Sequence, residues 1–333
     1  MFHSLGLIVN PRAGRGDDTN PRHARELIAT LKPASTLVGA DEMGADALAG
    51  LPGVTPLAYA PAQSRARTPA LAAQMLARGV EVIAVIGGDG TLADVAFALY
   101  RAAATIPILG IGIGSANVGG LVTVRGAEIA RLANARLEPH TLTALIAGAN
   151  DETLGIALND AVVSTTVLAT LNGQVTEVQV APKMRGENVP GKSDLIGTHE
   201  TRVWRETPDA LTEIASGDQV GTLLCGFPDT RFFGKAIAGQ ACLAAYLDVP
   251  AGCLVGNLPL VRMIADTHEL FHTEPFVSRY ASFDETSAIH ATGLRAGVAL
   301  CADGNPLKIL NSDDHITIRV RRQAIVALRV GQT

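Results

Sequence analysis

The sequence predicts a two-domain protein: an N-terminal α/β domain with a parallel sheet over residues 1–125, and a β-rich domain over residues 126–333. Three observations carry this expectation. Strand and helix signals alternate through the first half, and its strands are near-continuous Val/Ile/Leu runs, as expected for strands buried on both faces of a parallel sheet. From Leu154 onward the segments are short, β-rich and separated by tight polar or glycine turns. The length of 333 residues suits two domains, and a hydrophobic content of 47 % is enough for two cores and excludes disorder. Whether the last strands return to the first domain is left open by the pattern alone.

The elements follow in order. Leu5–Val9 reads as a buried strand ended by the Asn10-Pro11 turn, and Arg22–Leu31 as a helix stopped before Pro33. Thr68 and Pro69 suit the N-cap and first position of a second helix, and Gly79 suits its left-handed end. Val80–Ile86 is a buried strand broken by Gly87-Gly88-Asp89-Gly90-Thr91, and Leu92–Arg101 is the next helix. Ile106–Ile111 is another strand, ending in a Gly/Ser/Asn loop. In the second half, Leu154–Val163, Thr166–Leu171 and Gln174–Val180 read as strands, with Asn172-Gly173 as a hairpin turn. Lys183–Ser193, rich in Gly, Pro and charge, reads as a mobile loop, and residues 230–267 are ambiguous. Ala296–Ala302 and Leu307–Leu310 flank a turn at 303–306, and Ile316–Val320 and Ala324–Val330 close the chain as two strands.

Composition narrows the function. No run approaches the roughly 18 uncharged apolar residues of a membrane helix, so no membrane span is expected. The N-terminus lacks the basic start and cleavage site of a signal peptide. With 27 basic against 32 acidic residues the net charge is −5, a poor match for nucleic acid. Cys225, Cys242, Cys253 and Cys301 have neither C-x-x-C spacing nor the density of a disulfide framework, which points to buried thiols in the cytoplasm.

Three Gly-rich loops follow three predicted strands. Gly87, Gly88 and Gly90 would let backbone N–H groups approach phosphates, with the positive end of the next helix aimed at the same spot. Asp89 then suits Mg²⁺ binding or removal of a proton from an attacking hydroxyl; its structural alternative is a simple N-cap. Asn10-Pro11-Arg12-Ala13-Gly14-Arg15-Gly16 offers two guanidinium forks for phosphate oxygens, or is a solvated loop. Gly114-Ser115-Ala116-Asn117 can bond phosphate, ribose or its own turn. One parallel sheet would bring all three loops to a single edge.

These residues resemble a known superfamily. Gly87–Thr91 is similar to the G-G-D-G-T signature of NAD kinases and of diacylglycerol or sphingosine-type lipid kinases. Asn10-Pro11 and its loop resemble their nucleotide loop, Gly114–Asn117 the G-T-x-N of the lipid branch, and Gly119–Thr123 the L-G-F-L-T of NAD kinases. Leu158-Asn159-Asp160 resembles the asparagine–acid pair that holds the nicotinamide substrate, and the layout resembles the X protein group of acetoin catabolism. The resemblance implies the NAD kinase-like two-domain architecture, with nucleotide phosphates on residues 1–125, and substrate binding and oligomerisation on 126–333. It implies phosphoryl transfer from ATP with Mg²⁺ to NAD, hence NADP biosynthesis; the cysteine usage adds a cytoplasmic location, and the exposed edges of a β-rich domain a homo-oligomer. Asp89 would be catalytic. Asn10, Arg12, Gly87, Gly88, Gly90, Thr91, Gly114, Ser115 and Asn117 would line the nucleotide, and Asn159 and Asp160 the acceptor.

Other readings stay open. The G-T-P-T-G-S-T-A-Y segment of NAD kinases has no counterpart, and Asp303-Gly304-Asn305 replaces the lipid-kinase D-G-E. An accessory or regulatory nucleotide-binding protein without turnover, and a lipid or small-polyol kinase, are the alternatives. His268-Glu269-Leu270-Phe271-His272 fits H-E-x-x-H, whose two histidines on one helix face can hold zinc for a hydrolase; inter-domain or surface histidines are the plainer reading. Trp204 is read as packing, with capping of a base as the alternative. Arg319, Arg321 and Arg322 are read as a solvated strand face.

Overall fold

A computed structural model describes residues 2–14, 19–59, 64–113, 119–171, 174–228, 249–258 and 277–331. The chain divides into two compact units, residues 1–143 with 323–333, and residues 144–322.

The first unit is α/β. Strands β1 (Ser4–Val9), β2 (Ser35–Gly39), β3 (Val54–Leu57), β4 (Val82–Gly87), β5 (Ile108–Gly112) and β6 (Val122–Arg125) pair in the order β3-β2-β1-β4-β5-β6, all parallel. Every residue of β4 and β5 is buried, because apolar side chains cover both faces of the sheet. Helix α1 (Thr19–Leu31) turns Ala24 and Leu27 into a core with Leu5, Leu7, Val82, Ile86, Leu109 and Ile111. Helices α2 (Ser64–Ala77) and α3 (Asp89–Arg101) add buried Leu71, Met75, Leu92, Val95 and Leu99. Gly6 is demanded by packing, since a Cβ there would lie 2.8 Å from the Met75 sulfur.

Helix α2 corrects the expected boundary. It starts at Ser64, so Thr68 and Pro69 lie within it rather than at its cap. The proline removes one ladder bond near the helix start, a cost the apolar face of the helix outweighs. Helix α3 begins three residues earlier than expected, at Asp89.

The second unit is a β-sandwich. After β7 (Leu137–Ala149), whose first residues lie in the first unit, come β8 (Glu152–Ala157), β9 (Asp160–Ser164), the hairpin β10 (Thr166–Leu171) and β11 (Gln174–Gln179), and the one-turn helix α4 (Val180–Met184). Then follow β12 (Arg202–Glu206), β13 (Leu211–Ser216), β14 (Thr222–Gly226), β15 (Ala251–Gly256), β16 (Ser278–Phe283), β17 (Ala288–Thr292), β18 (Ala299–Ala302), β19 (Asn305–Ile309) and β20 (Ile316–Val330). One antiparallel sheet runs β16-β15-β14-β9-β18-β19. Another runs β13-β12-β17 to the first half of β20. Val163, Leu223, Cys225, Cys253 and Leu300 from one meet Val203, Ile289, Ala291 and Ile318 from the other in a shared core. Cys225, Cys253 and Cys301 are buried thiols outside any disulfide, and Cys242 lies outside the described residues.

Three expectations are corrected in this unit. The stretch Leu154–Val163 is two strands, because the backbone turns at Leu158–Asn159. The two closing strands are one, β20, with Gln323 at φ 50° where the chain passes from one unit to the other. Residues expected as a mobile loop are tied to β11: Gln179 N–H donates to the Val189 carbonyl at 2.9 Å and Gly191 N–H to that of Glu177 at 3.1 Å. The Asn172-Gly173 turn lies outside the described residues, but the strands on either side pair from Thr166 with Gln179 to Leu171 with Gln174.

Candidate functional site

The carboxyl ends of β1, β4 and β5 lie at one level of the sheet. Val9 pairs beside Ile86, and Gly87 beside Gly112. Asn10 N–H donates to the Ile86 carbonyl at 2.9 Å, and Ile113 N–H to that of Gly87 at 3.0 Å. Loops at such strand ends form the ligand edge of α/β sheets.

The Gly87–Thr91 segment is a strand end, a cap and a first helical turn. Gly88, in extended backbone, is the N-cap, and its carbonyl accepts from the N–H of Thr91 and Leu92. Asp89 is therefore the first residue of α3, where its charge is favoured by the helix dipole. One carboxylate oxygen of Asp89 accepts from Gly119 N–H at 3.0 Å. Gly87 has no alternative: a Cβ would sit 2.7 Å from that of Thr91. The Thr91 hydroxyl accepts from the Asn10 side-chain amide at 2.7 Å, linking the first loop to the second.

The first loop is held from within. Arg12 N–H donates to the Asn10 side-chain oxygen at 2.9 Å, closing an Asx turn, and leaves the Arg12 side chain exposed. Gly14 adopts φ 72° and passes so close to β5 that a Cβ would be 2.7 Å from the Ile113 carbonyl oxygen. Two residues that the sequence reading missed fix this edge. Buried Asn20 donates to the carbonyls of Asn10 and Ala13, both at 3.1 Å. Arg329, far along the chain, donates to the carbonyls of Gly120 and Val122 and so steadies the segment that meets Asp89. Gly114, Ser115 and Asn117 lie outside the described residues.

Asn159 and Asp160 belong to the second unit. They sit where β8 turns into β9, on a carboxylate. Asp303 accepts from the backbone N–H of Leu158 at 2.8 Å, Asn159 at 2.8 Å and Asp160 at 3.1 Å. Asp303 N–H donates in return to the Asp160 carbonyl at 2.9 Å. This anion-filled nest breaks the expected long strand in two. Asp303 and Gly304, at φ 47° and 76°, form the two-residue turn of the β18–β19 hairpin. Burial, and then the negative Asp160, push the Asp303 carboxyl up to about 7, against the pull of its three N–H donors. The sequence reading saw the turn but not its partners, which lie more than 140 residues away.

His268, Glu269 and His272 lie outside the described residues. Among the described residues no group of three or more His, Cys, Asp or Glu side chains is placed to hold a metal. The single-carboxylate arrangement at Asp89 fits Mg²⁺, which binds through one or two carboxylates plus substrate phosphates rather than a protein cage. Glycines and helix N–H groups at the same edge suit those phosphates. No described helix is long and apolar enough to cross a membrane.

Comparison with known proteins agrees with this fold. The ATP-NAD kinase N-terminal domain family matches residues 5–140. An uncharacterized protein of Archaeoglobus fulgidus is 30% identical over 306 residues, 92% of each chain. Yeast NADH kinase, solved with NADH, is similar in structure with a TM-score of 0.52 at 14% identity, covering 99% of this chain and 84% of that one. A Bacillus anthracis protein provisionally named diacylglycerol kinase gives 0.51 at 15% identity, covering 98% and 96%. With its parallel sheet and its β-rich second unit, the chain has the NAD kinase-like two-domain fold, and its residues 5–140 belong to the ATP-NAD kinase N-terminal domain family.

Proposed function

We propose that this protein transfers a phosphoryl group from ATP to NAD or a related nucleotide, with Mg²⁺. The observation that supports this best is Asp89 at the first position of α3, in a glycine-rich strand-to-helix turn of the kind whose backbone suits phosphate. Phosphoryl transfer needs positioning and charge neutralisation more than covalent chemistry. Bound Mg²⁺ would neutralise phosphate charge at Asp89.

The chain's own residues have the following roles in this reading. Gly87, Gly88, Gly90 and Thr91 cradle phosphates, and Asn10 holds the Thr91 hydroxyl in place. Arg12, with its exposed guanidinium, neutralises nucleotide phosphate. Gly114, Ser115 and Asn117 complete the nucleotide side. Asp89 takes the proton of the attacking hydroxyl or binds the metal, and Gly119 N–H orients its carboxylate. Asn159 and Asp160 bind the acceptor, and Asp303 fixes the turn that presents them. NADP biosynthesis is the corresponding role, in a cytoplasmic homo-oligomer. The Asn159-Asp160 step is the feature that supports a place in acetoin catabolism.

The test is purified protein with ATP and Mg²⁺ over a panel of NAD, NADH, diacylglycerol and small polyols. NADP or NADPH with equimolar ADP is the expected product. Phosphorylated lipid or polyol instead assigns the lipid-kinase reading. A thermal shift with ATP or NAD but no ADP from any acceptor assigns the accessory reading.

A further inference from the structure

The outer face of the β13-β12-β17-β20 sheet carries a polar chain that the phosphoryl-transfer reading does not use. Trp204 pairs across the strands with His290, and His290 with Thr317. The alternate residues Val203, Ile289 and Ile318 point into the sandwich core. On the outer face the side chain of His290 is nevertheless only 5% exposed. Trp204 covers it, with ring centroids 5.2 Å apart and planes at 11°. His315 lies against both rings, 5.5 Å from Trp204 and 5.0 Å from His290.

The hydrogen bonds run in one line. Glu206 Oε2 is 2.7 Å from His290 Nε2, and His290 Nδ1 is 2.9 Å from His315 Nε2. A carboxylate only accepts, so the proton of His290 is on Nε2. Its Nδ1 then accepts, and His315 Nε2 donates. Burial, His315 and Arg319 disfavour the charged form of His290 and outweigh the pull of Glu206, which agrees with this neutral tautomer. The Thr317 hydroxyl, 3.4 Å from His290 Nδ1, is the remaining polar neighbour. The basic lone pair of the chain is left on His315 Nδ1, which has no hydrogen-bond partner among the described residues. Asn150 holds the His315 backbone: its side-chain oxygen accepts from His315 N–H at 2.9 Å, and its own N–H donates to the His315 carbonyl at 2.9 Å.

A carboxylate, an oriented imidazole and a terminal nucleophilic atom form the arrangement that activates nucleophiles in acyl transfer. We propose that Glu206, His290 and His315 form a second reactive site, at which Nδ1 of His315 attacks small activated acyl esters. The nitrogen forms a bond to the acyl carbon, the carbon–oxygen bond breaks, and the leaving oxygen takes the electron pair. The Nε2 proton of His315 passes to Nδ1 of His290, and the Nε2 proton of His290 passes to Glu206. A neutral acyl-imidazole remains. Water then adds its oxygen to the acyl carbon, the carbon–nitrogen bond breaks, the carboxylic acid leaves with one proton of the water, the other goes to the departed oxyanion or to solvent, and the chain protons return from Glu206 to His290 and from His290 to His315. His315 is the catalytic residue of this site; His290 and Glu206 are positioning residues.

The full-length protein supplies its own control. His199 is far more open, its side chain 88% exposed, and the carboxylate of Glu200 is 3.7 Å away. Diethyl pyrocarbonate at pH 8, where an ordinary imidazole is neutral, is mapped by mass spectrometry, and p-nitrophenyl acetate turnover is followed by nitrophenolate release. His315 is expected to be modified about tenfold faster than His199, and Glu206→Gln to remove that advantage without changing the His199 rate. Glu206→Asp restores part of it, and His315→Gln abolishes ester turnover. Because Glu206 is half-exposed, its variants test the chain without removing a ring from the Trp204–His290–His315 stack, as His290→Gln does. A His315 rate no higher than that of His199, or one unchanged in Glu206→Gln, overturns the proposal.

Discussion

The two candidate clusters differ in how they are built. The Asp89 edge is assembled from loops that each follow their own strand, and three of its contacts are local backbone geometry: the Gly88 cap, the Asx turn at Asn10 and the left-handed Gly14. The Asn159–Asp160 turn is held by Asp303, which reaches it only through strand pairing of β9 with β18. In the first, on the proposed reading, the glycine-rich backbone would receive the phosphates of a ligand. In the second, backbone N–H groups of the same kind are already filled, by a carboxylate of the chain itself. An N–H nest can therefore serve a ligand or serve the fold, and the occupant decides which.

Substitutions sharpen that contrast. The largest effect is expected at the proposed phosphate site. Asp89→Asn should lower turnover by roughly 10²–10⁴-fold, as for loss of a general base, with nucleotide affinity nearly unchanged. Its stability cost should stay within the ~0.3–1 kcal/mol of a first-turn charge; steady-state kinetics beside denaturant melts would check both. Unchanged turnover would remove Asp89 from the mechanism.

At the filled nest the order reverses, with stability affected first. Asp303→Ala leaves three backbone donors without their acceptor, and a loss of about 3 kcal/mol is expected at ~1–3 kcal/mol for each buried unsatisfied group, eased by local relaxation. Urea melts measure it. If the variant is as stable as the parent, Asp303 does not hold the turn.

The pH dependence separates the same two sites. The Asp303 carboxyl titrates at about 7 in the fold against 3.8 as its unperturbed value. Its contribution to stability is thus fullest below about pH 4 and is lost as pH rises towards 7, by roughly 2–4 kcal/mol. Asp303→Asn cannot lose a proton and should flatten that part of the stability profile. His290 acts in the opposite sense. Its folded value lies below 6.5, so its contribution is present above that pH and is lost as pH falls through it. Thermal melts from pH 4 to 8 on parent, Asp303→Asn and His290→Gln would resolve the two limbs.

The smallest effect is expected at Asn10. Asn10→Ala breaks the bond to Thr91 and the Asx turn, at about 1 kcal/mol. The KM for the nucleotide should rise more than kcat falls, which initial-rate measurements would show.

Legibility followed the range of the forces involved. Val80–Ile86 and Ile106–Ile111 were readable as buried parallel strands because both faces need apolar side chains. The Asp89 loop was readable because glycine and carboxylate act over a few residues. The break in Leu154–Val163 was not, because its cause is a side chain in another hairpin. Nor was the start of α2, which lies a turn before the good local cap at Thr68; in that turn Arg67 pairs with Glu42 and lies over the Tyr59 ring, contacts distant in sequence. Trp204 was read as packing, and its partners are the rings of His290 and His315, residues that periodicity alone could not bring together.

The bend at Gln323 has a bearing on biosynthesis. Beyond it, Ala327 registers beside Ile108, the Leu328 carbonyl accepts from Thr123, and Gly331 N–H reaches the Arg136 carbonyl at 2.8 Å. The ribosome delivers these residues after the whole sandwich. The α/β unit is begun first yet completed last, and a nascent chain must keep an incomplete sheet margin shielded while some 180 intervening residues emerge.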